Sequence, residues 1–310
     1  MEKSKTIHQT KANTLASYLT EREQREIVSL KISGPIGRND IYDIIDGMCE
    51  TEGYFDDDDN FVPDLDSTSA LRHLNLGEAT YVDGKELPDF GFHSHLESIV
   101  FPKGVEKIGD DTSCFSESGS LKHIILPDGL KTIGGIQSCP NLTELILPDS
   151  MENIISFAFC GCESITSIRI PASVKTFDGS CFAGCRIKGY EMDAGNPYYT
   201  VVDGVIYSKD LSTLVAFPSD YPNKHFNVPS TTRIIGFGAF MDSKIESITL
   251  PNGLLAIKGW AFQGSCIKSI SIPDSVKEVG GLAFRFCEGL EHIRLPNGLT
   301  NIPDQLFYGC

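Results

Sequence analysis

No apolar run in this sequence approaches the about 18 residues that a membrane-spanning helix needs. The N-terminus, MEKSKTIHQTKANTLASYL, also lacks an apolar signal core, so the chain reads as cytosolic or as one whose export signal has been removed. Positive charge is scarce: 26 Lys and Arg stand against 42 Asp and Glu, a net charge of −16. A phosphate backbone would be repelled, and no basic stripe or aromatic-basic platform offsets this, which argues against a nucleic-acid partner. Catalytic signatures are missing as well. There is no G-x-S-x-G, no phosphate-cradling glycine loop and no C-x-x-C pair set, so neither an enzyme nor a cofactor is expected.

What the sequence has is repetition. The stretch LTELILPDSMENIISFAFCGCES, residues 142–164, recurs as ITSIRIPASVKTFDGSCFAGC from Ile165, IKSISIPDSVKEVGGLAFRFC from Ile267 and LEHIRLPNGLTNIPDQLFYGC from Leu290. The shared pattern is L-x-x-I-x-L-P-x-[SG]-[VL]-x-x-[IF], then an aromatic, then Cys three residues later. The alternation I-x-L puts two apolar side chains on one face of a short strand and the residue between them on the other. Proline ends the strand because it has no amide hydrogen for the ladder, and Leu126-Pro127-Asp128-Gly129 reads as a turn with Pro in its second position.

The prolines count the coils. Pro102, Pro127, Pro148, Pro171, Pro229, Pro251, Pro273 and Pro296 are spaced by 25, 21, 23, 58, 22, 22 and 23 residues. The long gap hides a coil at Ile187, Tyr190 and Met192, with Asp193 in the proline position. Two earlier coils, at Leu71, Leu74 and Leu76 and at Ile27, Leu30 and Ile32, bring the count to eleven. A period in this range specifies a leucine-rich repeat solenoid, β-rich, with stacked parallel short strands and short helical turns.

Three features, A-F-x-x-C in Ala158–Cys162, I-P-x-S-V in Ile272–Val276 and N-P-x-Y…D-G-V-I-Y-S-K-D from Asn196 to Asp210, resemble the BspA-like leucine-rich repeats of bacterial surface proteins. The likeness covers about residues 26–310. It implies a right-handed solenoid used for adhesion or for protein or glycan recognition, outside the cell or at its surface. An intracellular interaction scaffold built on the same surface is the alternative.

The ten cysteines do not read as a disulfide framework. Cys139, Cys162, Cys185, Cys287 and Cys310 fall three residues after the aromatic or its substitute, and Ser118, Ser243 and Ser265 take that slot in other coils. Serine cannot replace a bridged partner, so the column is expected to hold small buried thiols.

One domain is expected over residues 27–310, preceded by a tail and capping helix over residues 1–26, in which Leu15, Tyr18 and Leu19 recur at helical spacing. Asp40 to Gly47 reads as a short helix with Asp40 as its N-cap. The acidic stretch 50–66 fails the calcium-loop pattern, because a start at Asp56 puts Phe61 where Gly is needed and Ser67 where Glu is needed; it reads as a solvated loop. In residues 198–218, Asp203-Gly204 between two apolar pairs signals a hairpin, and Leu214–Phe217 a third strand, a meander projecting from the solenoid wall. His73, His123 and His292 face outward from different coils. His93 and His95, the one close pair, have no Cys or carboxylate at metal spacing, so no metal site is expected. The chain ends on a completed coil at Phe307-Tyr308-Gly309-Cys310 with no polar cap, and association through that end, or continuation of the chain, is expected.

The outward residue between the two inward strand positions reads Val100, Ile125, Ile146, Arg169, Glu191, Thr249, Ser271 and Arg294 in successive complete coils, with Asn227 before Pro229. Three adjacent apolar side chains where water-facing ones belong mark a partner surface. Its rim comes from the neighbouring columns, with Lys122, His123 and Glu144, and Arg169 continues the stripe.

Overall fold

The computed structural model describes residues 3–49, 53–55, 61–63, 70–88, 95–109, 118–299 and 301–310. The chain divides into two compact units, one made of Met1–Glu152 with Cys162–Ser164, the other of Asn153–Gly161 with Ile165–Cys310. Both are β-solenoid, and together they contain about 11 turns.

In the first unit, the strands Ser4–His8, Ser29–Ile36, His73–Tyr81, Ser98–Val100 and His123–Ile125 form one parallel sheet in that order. Alternation sets which side chains turn inward: Leu30, Ile32, Leu74, Leu76, Ile99 and Phe101 are all buried. A second parallel ladder of two-residue strands, Glu86–Leu87, Lys107–Ile108 and Thr132–Ile133, forms another wall of the same coils. Between the walls, the turn is closed by Leu130 N–H donating to the Pro127 carbonyl at 3.0 Å, and by the same bond from Met151 to Pro148 at 2.9 Å. Proline thus occupies the first position of the turn rather than the second. The bond brings the following apolar residue straight back into the core.

The second unit repeats the plan. Ile168–Ile170 pairs in parallel with Tyr190–Met192, which places the coil that lacks a proline in the stack. His225–Asn227, Ser247–Thr249, Ser269–Ser271 and His292–Arg294 form a four-stranded parallel sheet. The expected meander is present as Tyr199–Val202, Val205–Ser208 and Thr213–Ala216, and the turn residues Asp203 and Gly204 both have positive φ, 50° and 77°, as a tight hairpin requires. It does not project. Its third strand pairs in parallel with Ile234–Ile235, so the meander is the start of the lateral sheet that continues through Ala256–Ile257 and Glu278–Val279. The reason is burial: Val205, Ile206, Tyr207 and Leu214 are core residues.

Two columns tie coil to coil. Phe240, Phe262 and Phe284 are fully buried and stacked nearly parallel, with ring centroids 4.9 and 5.2 Å apart, and Phe307 continues the stack at 6.0 Å. Each of the first three also donates its amide to the next coil, Phe240 to Ala261, Phe262 to Ala283 and Phe284 to Leu306. Burial of one such ring stabilises by roughly 1.5–3 kcal/mol. The backbones approach so closely that a Cβ on Gly280 would stand 2.2 Å from the Gly259 nitrogen.

The second column is the cysteine one. Cys139, Cys162, Cys185 and Cys287 are buried, as are Ser118, Ser243 and Ser265 in the same slot. Each thiol after the first donates to the carbonyl at the aromatic position one coil back: Cys162 to Ile136 at 3.3 Å, Cys185 to Phe159 at 3.2 Å, Cys287 to Phe262 at 3.0 Å and Cys310 to Phe284 at 2.9 Å. A hydroxyl can replace a thiol in this slot because both are small and carry a donor.

The N-terminal segment departs from the expected capping helix. Leu15–Tyr18 is a single 3₁₀ turn, and the α-helix is confined to Glu21–Glu26, where Thr20 closes a capping box with Glu23 and so starts a new helix instead of continuing the old one. Leu15 and Leu19 are buried as expected, but residues 4–8 form a strand that the sequence pattern does not announce. Asp40 is not the N-cap of its helix, which spans Asp40–Asp46 and follows Asn39. It is buried, and its carboxylate accepts hydrogen bonds from Asn13 N at 2.7 Å and from Leu15 N, Gly37 N and Gln9 Nε2 at 2.9 Å. This one side chain fastens the N-terminal segment to the first coil. Asp56 to Asp59, the centre of the acidic stretch, lie outside the described residues; of that stretch, Gly53–Phe55 and Phe61–Pro63 pair as antiparallel strands.

The nine described cysteines are unbridged. Burial pushes the Cys287 thiol up to about 11 and raises Cys181, a hydrogen bond with Cys139 and then burial raise Cys162, and the thiolate is the form that reacts. In native alkylation at neutral pH, exposed Cys266 should be modified first and Cys139, Cys162, Cys185 and Cys287 only on unfolding, read by peptide mass spectrometry. A denaturing count without reductant should approach ten. Early labelling of Cys139, Cys162, Cys185 or Cys287, or a count near zero, would contradict the column's structural role.

Candidate functional site

The sheet of the first unit places the predicted stripe in register. Asn75 stands opposite Val100 and Val100 opposite Ile125, while His123 bridges to Glu144, two residues before Ile146. The inward partners on these strands, Ile99, Ile124, Leu145 and Leu147, are buried. Ile125 and Ile146 point the other way and are 58% and 68% exposed. Val100 is only half-buried outward, because it leans over Gly77, where an added Cβ would meet its Cγ1 at 2.8 Å. The exposed apolar surface is therefore centred on the two isoleucines, with Val100 as its packed edge.

Around them the polar residues are arranged as follows. Lys122 Nζ donates to Glu97 Oε2 at 2.7 Å. That hydrogen bond, with the lysine's charge, holds the Glu97 carboxyl below its usual range. His73 Nδ1 and Ser98 Oγ lie 2.9 Å apart one coil earlier. His123 and Glu144 are exposed and adjacent across the strands. Arg169 stands in the second unit, on the Ile168–Ile170 strand, where its guanidinium forms a two-bond pair with Asp193. It is described with that unit, and Val100, Ile125, Ile146, Lys122, His123 and Glu144 constitute the site of the first.

Asn75 and Gly77 were not read from the sequence as part of this surface. Asn75 occupies the outward column one coil before Val100, so the repeat register carried the signal for it. Gly77 carried none, since its role depends on where the Val100 side chain lies.

The histidine pair is divided. His93 lies outside the described residues, and His95 is half-buried, its imidazole pushed below its usual pKa by burial and by nearby Arg72. Among the described residues no group of three or more His, Cys, Asp or Glu is placed to hold a metal ion. No helix of the described residues is long and apolar enough to cross a membrane.

A solenoid whose side chains divide strictly into inward core columns and outward display columns defines a class of protein, the leucine-rich repeat proteins. The family model for the BspA-type leucine-rich repeat region matches in six copies over residues 85–198 and 215–310, and the chain belongs to that family. Among solved structures it is similar to a leucine-rich repeat protein from Eubacterium ventriosum, with 21% identity and a TM-score of 0.64 over 77% of this chain. The chain spans 63% of the length of that protein. It is also similar to the pneumococcal vaccine antigen PcpA, with 20% identity and a TM-score of 0.52, covering 76% of this chain and 75% of the other. At these identities the likeness is one of fold. No curated protein matches the sequence.

Replacing Lys122 with Met should return the Glu97 titration, followed by carboxyl NMR, to the ordinary carboxylate range. Because the wild-type carboxyl is depressed, the pair's contribution is present above the unfolded-state pKa and is lost as pH falls through the folded one. The pair is exposed, so the melting temperature at neutral pH should hardly change. A Glu97 titration unmoved by the substitution would show that the contact is not formed in solution.

Proposed function

We propose that the chain is a non-catalytic recognition module that binds a protein partner through the outward strand face around Ile125 and Ile146, in an adhesive or receptor-binding role at the cell surface. The observation that carries this reading is the exposure of two isoleucines in consecutive coils, at positions where the repeat elsewhere places Arg169, Glu191, Thr249, Ser271 and Arg294. Contiguous exposed apolar side chains rimmed by polar groups are more often interaction sites than accidents. The surface location is supported by the family, whose members are associated with bacterial surfaces.

The double substitution Ile125→Lys/Ile146→Lys tests the site. Both residues are outside the core, so the melting temperature should hold. Proteins captured by the immobilised chain from the native cell surface and its surroundings, quantified against the unsubstituted chain, should then lose their specific members. A fall of several degrees in melting temperature would mean that the stripe is covered core, and unchanged capture would mean that the partner sits elsewhere.

A further inference from the structure

The strand face of the second unit carries a feature of different chemistry. Its parallel register sorts the outward side chains into two rows, His225, Ser247, Ser269, His292 and Asn227, Thr249, Ser271, Arg294. In both rows the two middle positions are short hydroxyl side chains and the two ends are longer, planar polar groups. At about 4.8 Å between strands, the run of short hydroxyl side chains is two strands wide. A cleft of about 630 Å³ follows this run over Thr249, Ser271 and the turn residues Asn252 and Asp274. A shallower hollow of about 430 Å³ continues it over Ser247, Ser269 and His292. The larger falls within the roughly 300–1,000 Å³ of small-ligand sites.

The longer polar groups at the ends of the two rows are held in place, and the one guanidinium among them is paired. His225 is fixed on both ring nitrogens, Nδ1 lying 2.8 Å from Ser247 Oγ and Nε2 3.0 Å from Asn227 Oδ1. Arg294 is spent on Asp274, with Nη2 donating to both carboxylate oxygens at 2.9 Å, and Asn297 holds the same carboxylate through its backbone N and its Nδ2. An anion would therefore find no uncompensated guanidinium. The hydroxyls of Ser269 and Ser271 make no side-chain hydrogen bond among the described residues, so their donors and acceptors are open to a ligand. Ile248, Leu250 and Pro273 add apolar lining to the cleft, and Ile248, Ile270 and Ile293 add it to the hollow.

A ligand suited to this set presents hydroxyls on its edges, C–H groups on its faces and no charge. We propose that the cleft over Thr249 and Ser271, with its continuation over Ser247 and Ser269 to the His292/Arg294 strand, is a binding site for a short neutral saccharide, whose hydroxyl edge exchanges hydrogen bonds with Ser269 and Ser271. The site is independent of the isoleucine surface of the first unit and stands or falls separately from it.

Titration calorimetry and saturation-transfer NMR with cellotetraose, maltotetraose and chitotetraose, and with a heparin tetrasaccharide as the anionic comparison, test the proposal. At least one neutral probe should bind with a Kd of about 1 mM or tighter. That affinity should be insensitive to salt, fall about tenfold or more in Ser269→Leu/Ser271→Leu, and be unchanged in Ile125→Lys/Ile146→Lys. The two serines face solvent, and the melting temperature reports whether the double variant is folded; if it is not, the single Ser271→Val variant takes its place. Absence of binding by all neutral probes at about 10 mM, equal binding by the folded serine variant, or binding of the heparin fragment alone would overturn the site.

Discussion

A coil of this chain has too little interior to bury its own Leu, Ile and Phe, so each becomes stable only by covering the next. The contact that makes this concrete is the ring stack Phe240, Phe262, Phe284, with centroids about one strand spacing apart, reinforced by a hydrogen bond from the backbone N–H of each ring's residue to a carbonyl of the following coil. Everything else follows the same period. The thiols of Cys162, Cys185, Cys287 and Cys310 reach back one coil, and the backbone at Gly280 lies against that of Gly259 because no side chain separates them. Stability in such a stack is a sum over neighbours rather than a property of one central core.

This also explains what could be read from the sequence. Leu, Ile, Pro, Phe and Cys recur because each must meet its own kind one coil away, at a sequence distance fixed by the repeat. The coil without a proline, at Tyr190–Met192, was legible for the same reason, and the Asp203-Gly204 hairpin was legible from local turn chemistry alone. Asp40 was not. Three of its four donors lie at Gln9, Asn13 and Leu15, and nothing local distinguishes a carboxylate that caps its own helix from one that binds a segment 25 to 31 residues away. The strand Ser4–His8 was hidden because only Ile7 of its five residues is buried, and the meander's place in the lateral sheet depended on a parallel pairing with Ile234–Ile235 that crosses a loop.

The candidate surfaces were half legible. The outward column gave Ile125 and Ile146, and it also named Thr249, Ser271 and Arg294 without showing that they belong to a cleft. The cleft is a property of neighbouring columns together, and it appears only when the register sets Thr249 and Ser271 beside Ser247, Ser269 and the His292–Arg294 strand. Because inward columns carry the stability, the outward ones are free to differ between coils. The same scaffold therefore presents apolar side chains in one unit and hydroxyls in the other.

The central claim is that each coil is held by its neighbours through the phenylalanine column. Native-state hydrogen exchange on Phe262→Ala tests it most directly. The account predicts that protection falls not only in the substituted coil but also at the amides of Phe240 and Phe284 in the flanking coils, while the isoleucine-bearing strands of the first unit keep theirs. Loss of protection confined to the coil of residue 262, with Phe240 and Phe284 unchanged, would contradict it.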